Sequence, residues 1–211
     1  MLPLDLDPYT SPREKQVIPD SQPQVAGLKN LRPLAYLSCS LYVLTTFGSW
    51  LVVKFFPEFT SPRTHYLVYL TLSSASIMSF LAWTYRAAGN ARRIDSNDMP
   101  LNPGKAVWGY FIPLANFVIP FRAMRGIARA SIGRGSDGHV IIWWVLTSIR
   151  VIFPANLLLF VDLLAWERTS FASILVGKTF SVIGWGLLVT GVLLVLRITR
   201  AQEEIRRGFS S

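Results

Sequence analysis

The sequence predicts an all-α membrane protein with four transmembrane helices and a re-entrant or interfacial helical hairpin between the second and third. Three observations predict it. Of 211 residues, 51% are hydrophobic and 16% charged, against about 25% charged in an average soluble domain. Four long apolar runs each approach or exceed the roughly 20 residues that cross ~30 Å of hydrocarbon. The cations that give the chain its +9 net charge gather at the ends of those runs, where lipid headgroups would lie. That distribution argues against nucleic acid as the partner and for membrane lipids.

Residues 1–28 hold Pro3, Pro8, Pro12, Pro19 and Pro23 among polar residues, too little apolar surface to offset the entropy of ordering, which predicts a disordered cytoplasmic tail. It lacks the basic start and apolar core of a signal peptide, so the first helix is expected to act as its own insertion signal. The transmembrane domain is expected over 29–202. Its first span covers about 34–56, with an uncharged stretch Leu34–Val53. The second covers 66–85, and Ser73, Ala75, Ser76, Ser79 and Ala82 recur at helical spacing as a face for close packing. Tyr66, Tyr69, Trp83 and Tyr85 stand toward its ends, as interfacial aromatics do. The helix is expected to run on through Asn90 and Arg93, and 95–104 (DSNDMPLNPG) reads as a turn-rich loop.

The hairpin and an amphipathic helix follow over 105–132. Trp108, Pro113, Asn116 and Pro120 form its core, too apolar for a surface loop and too interrupted for an ordinary span. At 100° per residue Arg122, Arg125 and Arg129 share one face, while Met124, Ile127 and Ala128 lie opposite. Gly133–Gly138 reads as a flexible hinge. The third span is about 140–164, bracketed by Trp143, Trp144 and Trp166, and the fourth about 179–197. The end, 203–211, is expected in the cytoplasm, with Glu203 paired to Arg207.

Four spans put sixteen lysines and arginines on one side of the membrane and four on the other, with Arg150 between. The positive-inside rule then places both termini in the cytoplasm. If the hairpin spanned, the Arg122–Arg134 cluster would fall outside.

The order of motifs resembles a bacterial membrane family, the domain of unknown function 4328. The resemblance rests on Trp83, Tyr85, Arg86, Asn90, Pro103, Gly104, Phe111, Ile112, Pro113, Asn116, Pro120, Arg122, Met124, Arg125, Trp143 and Trp144, with Arg200–Gln202 near the end. Lys105 replaces an aromatic and Ile119 a basic residue of the family pattern. The resemblance implies an integral membrane protein and no particular reaction.

Candidate functional polar residues are Arg150, Asp162, Asn116 and Asn90. Arg150 lies ten residues into the third span, about 15 Å deep at 1.5 Å per residue. A charge there faces a partner or a watery path, or it snorkels to the headgroups. Asp162 is twelve residues further, too far along a straight helix to pair with it directly. Arg122, Arg125 and Arg129 are candidate contacts for anionic headgroups or a simple topological anchor. Gly133, Gly135 and Gly138 spell a dinucleotide fingerprint without its preceding strand. Ser136, Asp137 and His139 are loop neighbours rather than a triad. Cys39 is a lone cysteine suited to packing, and two distant histidines suggest no metal site. No cofactor is expected. The function these features favour is a non-enzymatic scaffold or accessory membrane protein. The rivals are a small oligomeric transporter or channel using Arg150 and, more weakly, a lipid-modifying enzyme.

Overall fold

The computed structural model describes residues 27–48, 51, 55, 62–164 and 171–208, so most of the N-terminal tail and the far half of the expected first span lie outside the described residues. Among the described residues the chain is all-helical, with no strand. Helix α1 covers Arg32–Val43 and passes into a wide π turn at Leu44–Gly48. Helix α2, Pro62–Ile94, is 33 residues long. A short α3, Pro103–Trp108, precedes a 3-10 turn at Ala115–Phe117 and helix α4, Ile119–Ile132. After a 3-10 turn at Arg134–Ser136 come α5, Asp137–Leu164, and α6, Phe171–Gly208, of 28 and 38 residues.

At 1.5 Å per residue α2, α5 and α6 run for about 50, 42 and 57 Å, each more than the ~30 Å of a bilayer core. Two stretches of the described residues, Leu67–Ile94 and Val182–Gly208, are long and apolar enough to cross a membrane. Only 28% and 39% of their most apolar windows are buried, so most of each window faces outward. Their outward faces carry Leu67, Leu70, Ile77 and Met78 on α2 and Val182, Val189 and Leu193 on α6.

Among the described residues the fully buried side chains gather at the basic end, where α2 and α6 finish and α1 and α5 begin. Trp83, Ala87, Ala88 and Ala91 of α2 meet Met124, Ile127 and Ala128 of α4, Leu194 and Ile198 of α6, and Leu31 and Ala35 at the start of α1. Helix α4 packs on α2, α5 and α6, and α1 packs on α2 and α6. The expected amphipathic face of α4 is the one that buries, with Arg122 exposed on the other side. On α2, Ser76 and Ser79 are buried, whereas Ala75 and Ala82 face outward.

Local chemistry sets the ends of these elements. Asp95 Oδ1 accepts from the backbone N–H groups of Asn97 and Asp98 at 2.8 and 3.2 Å, closing the turn after α2. Asn102 caps α3 through Gly104 N at 3.0 Å, and Pro103 takes a first-turn position whose N–H would have no partner. Pro120 does the same for α4. Gly133 ends α4 at φ +101°, a conformation that suits glycine. The expected flexible hinge at 133–138 is therefore a helical corner: Ser136 N–H reaches Gly133 O at 3.2 Å, and α5 starts at Asp137.

Gly126, in the middle of α4, lets the 98–99 loop lie directly on the helix. A Cβ there would stand 2.8 Å from Asp98 O and 2.8 Å from Met99 Sδ. Replacing a mid-helix glycine by alanine normally gains up to ~1 kcal/mol. Here the backbone oxygen cannot swing away, and overpacking costs ~1–3 kcal/mol. Gly126→Ala is expected to lower the thermal midpoint in detergent by several degrees, whereas Gly138→Ala, which meets no neighbour within 4 Å, should not.

Candidate functional site

The basic end has two kinds of polar chemistry: a buried layer that closes the helix ends, and a set of exposed cations around it.

The buried layer fastens the segment before α1. Lys29 N–H donates to Asn90 Oδ1 at 2.9 Å, and Asn90 Nδ2 donates back to Lys29 O at 2.8 Å. The Asn90 amide thus pairs with a backbone 61 residues away much as a neighbouring strand would. Leu31 N–H, at the cap of α1, donates to Glu203 Oε1 at 3.0 Å. Arg93 donates to Gly27 O. Glu203 is almost wholly buried, and such a carboxylate needs a paired charge. Arg206 supplies it through Nε and Nη2 to Oε2, at 3.0 and 2.8 Å. The sequence pointed to Arg207, but the i,i+3 geometry selects Arg206 and leaves Arg207 exposed.

Further links tie α6 to α2 and α4. Trp83 Nε1 donates to Thr199 Oγ1 at 3.0 Å, and Gln202 Nε2 donates to Ala87 O at 3.2 Å and Ser131 Oγ at 2.8 Å. Trp83 is fully buried, not an interfacial aromatic; Tyr85 faces outward. Asn90, a candidate functional residue by sequence, holds chain to chain here.

The three arginines of α4 divide. Arg129 Nε reaches Asp137 Oδ1 at 2.8 Å and its Nη2 reaches Oδ2 at 2.5 Å, while Arg125 Nη2 reaches Oδ2 at 2.9 Å. The hydrogen bonds from Arg129 and then Arg125 hold the Asp137 carboxyl well below the usual carboxylate range. Asp137 also stands in the first turn of α5, where the helix dipole favours an anion. This pairing fixes the α4–α5 corner and leaves Arg122 exposed.

Arg122 belongs to a wider pattern. Arg86, Lys105, Arg122 and Arg197 are exposed on four different helices. Each lies within four residues of an outward apolar side chain: Tyr85, Trp108, Val118 and Leu193 respectively. Arg86 and Arg197 each stand within one helical turn of the level where Trp83 meets Thr199, and Lys105 and Arg122 stand at the two ends of the hairpin. These four exposed cations form the basic collar.

The hairpin is a pair of helices around an irregular tip. Pro103 lies beside Gly89, 3.8 Å from the position of a Cβ there. Seven residues on, the Tyr110 ring stands edge-on to Phe80 at 6.1 Å. The hairpin therefore climbs back along α2 over nine residues, about 13 Å. Asn116 sits in the 3-10 turn and donates its N–H to Ile112 O at 2.7 Å. Trp108 and Pro113 are exposed, and Pro120 is buried. Helix α4 then descends, with Phe121 against Trp144 at 6.2 Å.

Arg150 lies on α5 against Gly184 of α6, its Nη1 3.6 Å from where a Cβ would stand. The side chain of Asp162 lies outside the described residues. Among the described residues no three His, Cys, Asp or Glu side chains are placed to hold a metal ion. Sequence reasoning missed Gln202, Glu203 and Thr199 as a site. Their signal is a helix that continues past its apolar run with polar residues at i, i+3 and i+4.

A sequence model described as Domain of unknown function (DUF4328) matches residues 62–204. No curated protein and no solved structure matches the chain.

Asn90→Ala removes both partners of the Lys29 backbone. The pair is only part-buried, so each lost hydrogen bond costs ~0.5–1.5 kcal/mol, and the segment before α1 should loosen. Trypsin cleavage after Lys29, followed by mass spectrometry, is expected to be at least several-fold faster than in the wild type.

Proposed function

The chain belongs to the DUF4328 family, and from that premise we propose an integral protein of the cytoplasmic membrane that acts as a scaffold or accessory subunit and contacts anionic lipid headgroups. Four helices span in this reading: the run from α1, then α2, α5 and α6, with both termini and the hairpin on the cytoplasmic side. Two stretches long and apolar enough to cross a membrane support it. So does the excess of sixteen cations over four between the two sides.

The observation that carries the headgroup contact is the collar. Arg86, Lys105, Arg122 and Arg197 project outward where the apolar surface ends. Arg125 and Arg129 add less, because Asp137 already occupies them. A cation near an anionic surface contributes ~1 kcal/mol, so four together can enrich anionic lipid around the protein many-fold. This chemistry binds and positions; it requires no reaction.

The test is lipid selection. The protein is reconstituted in nanodiscs of phosphatidylglycerol and phosphatidylcholine in equal parts, extracted gently, and its retained lipid weighed by mass spectrometry. Wild type should retain phosphatidylglycerol in several-fold excess. The variant carrying R86Q, K105Q, R122Q and R197Q should approach the bulk ratio. Equal selection by both proteins would refute headgroup contact through the collar.

A further inference from the structure

Resting on the membrane reading above, we propose that residues 108–118 form a shallow wedge in the cytoplasmic leaflet, with their side chains among the acyl-chain segments nearest the headgroups. The tip exposes Trp108, Phe111, Ile112, Leu114, Phe117 and Val118, and Leu114 is 87% exposed. So much outward apolar surface in eleven residues marks an interaction site rather than scattered surface hydrophobics.

Depth decides which partner it meets. Tyr110, where the tip begins, lies beside Phe80, six residues above Arg86, so the tip begins about 9 Å above that charge. That matches the ~5–10 Å at which interfacial amphipathic segments bury their apolar faces. It is far short of the ~30 Å needed to cross. Beside Phe80 and Trp144, which meet Tyr110 and Phe121 of the hairpin, α2 exposes Ile77 and Met78 and α5 exposes Ile141, Ile142 and Val145. The exposed cations Lys105 and Arg122 flank the tip in the sequence.

The backbone suits a shallow depth and not a deep one. An irregular turn exposed to lipid at the bilayer centre would leave donors without partners. Here the N–H groups of Gly109, Tyr110, Phe111, Asn116 and Val118 bond to carbonyls three or four residues back, at 2.7–3.1 Å. Pro113 and Pro120 have no N–H to satisfy. Donors that remain lie within reach of interfacial water. The wedge adds apolar volume to one leaflet and none to the other, so its insertion depends on lipid packing.

The test uses the full chain with Cys39→Ser, carrying bimane at Leu114→Cys or, as a control, at Val189→Cys. Both sites are exposed, so neither label disturbs packing. Val189 lies eight residues above Arg197, about 12 Å and near the midplane. In nanodiscs, the Leu114 label should be quenched at least two-fold more by lipid with a nitroxide at acyl carbon 5 than at carbon 14, and the Val189 label the reverse. Val189 quenched by lipid while Leu114 responds to aqueous iodide overturns the wedge and leaves the membrane reading intact. Deeper quenching at Leu114, or shielding from lipid and water alike, also overturns it. If neither label responds to lipid, the membrane reading itself fails.

Discussion

A buried carboxylate joins the projecting ends of the long helices, and the rest of the basic end is arranged around it. Helices α2 and α6 run for about 50 and 57 Å, longer than the ~30 Å of a bilayer core, and α1 and α4 pack against both. Glu203 fastens this packing by accepting from Leu31 N–H while Arg206 balances its charge. Removing either partner would leave a charge or a donor stranded in an enclosed site, at a cost of several kcal/mol. Through this one side chain the beginning of the first helix is tied to the end of the last.

Among the described residues burial is uneven, and the proposed membrane setting accounts for it. Water drives apolar side chains together only where there is water. At the basic end Trp83, Met124, Ile127 and Ile198 are fully buried, as in a small soluble domain. In the membrane reading proposed above, the solvent above the collar is hydrocarbon, where leucines and valines gain nothing by turning inward. Close approach of small residues replaces hydrophobic packing there: Gly191 lies against Trp143, Gly186 against Leu146 and Gly184 against Arg150. Charge follows the same division. Arg125 and Arg129 share the single carboxylate of Asp137 at the corner, while Arg86, Lys105, Arg122 and Arg197 remain turned outward.

Periodicity made much of this readable in the sequence. The buried face of α4 follows from the 100° spacing of Met124, Ile127 and Ala128. The continuation of α2 past Tyr85 follows from the lack of any proline before Ile94, the lone Gly89 being tolerated. What could not be read depended on contacts distant in the chain. Asn90 pairs with Lys29 across 61 residues and Trp83 with Thr199 across 116, and no local pattern announces either. Asp137 sits in a glycine-rich stretch that resembles a hinge, so its hold on two arginines was hidden. The direction of the hairpin was equally invisible until Pro103 and Tyr110 were placed beside Gly89 and Phe80.

The central claim is that the chain enters and leaves the hairpin on the same side of the membrane. Asn97 and Gly135 are exposed on either side of it, and each can be replaced by cysteine in a Cys39→Ser chain. Labelling with a membrane-impermeant maleimide, in inverted and right-side-out vesicles, reads their sides directly. Both positions should label in inverted vesicles and be protected in right-side-out ones. Labelling of Asn97→Cys and Gly135→Cys from opposite sides would mean that the segment crosses the membrane, and would contradict the account.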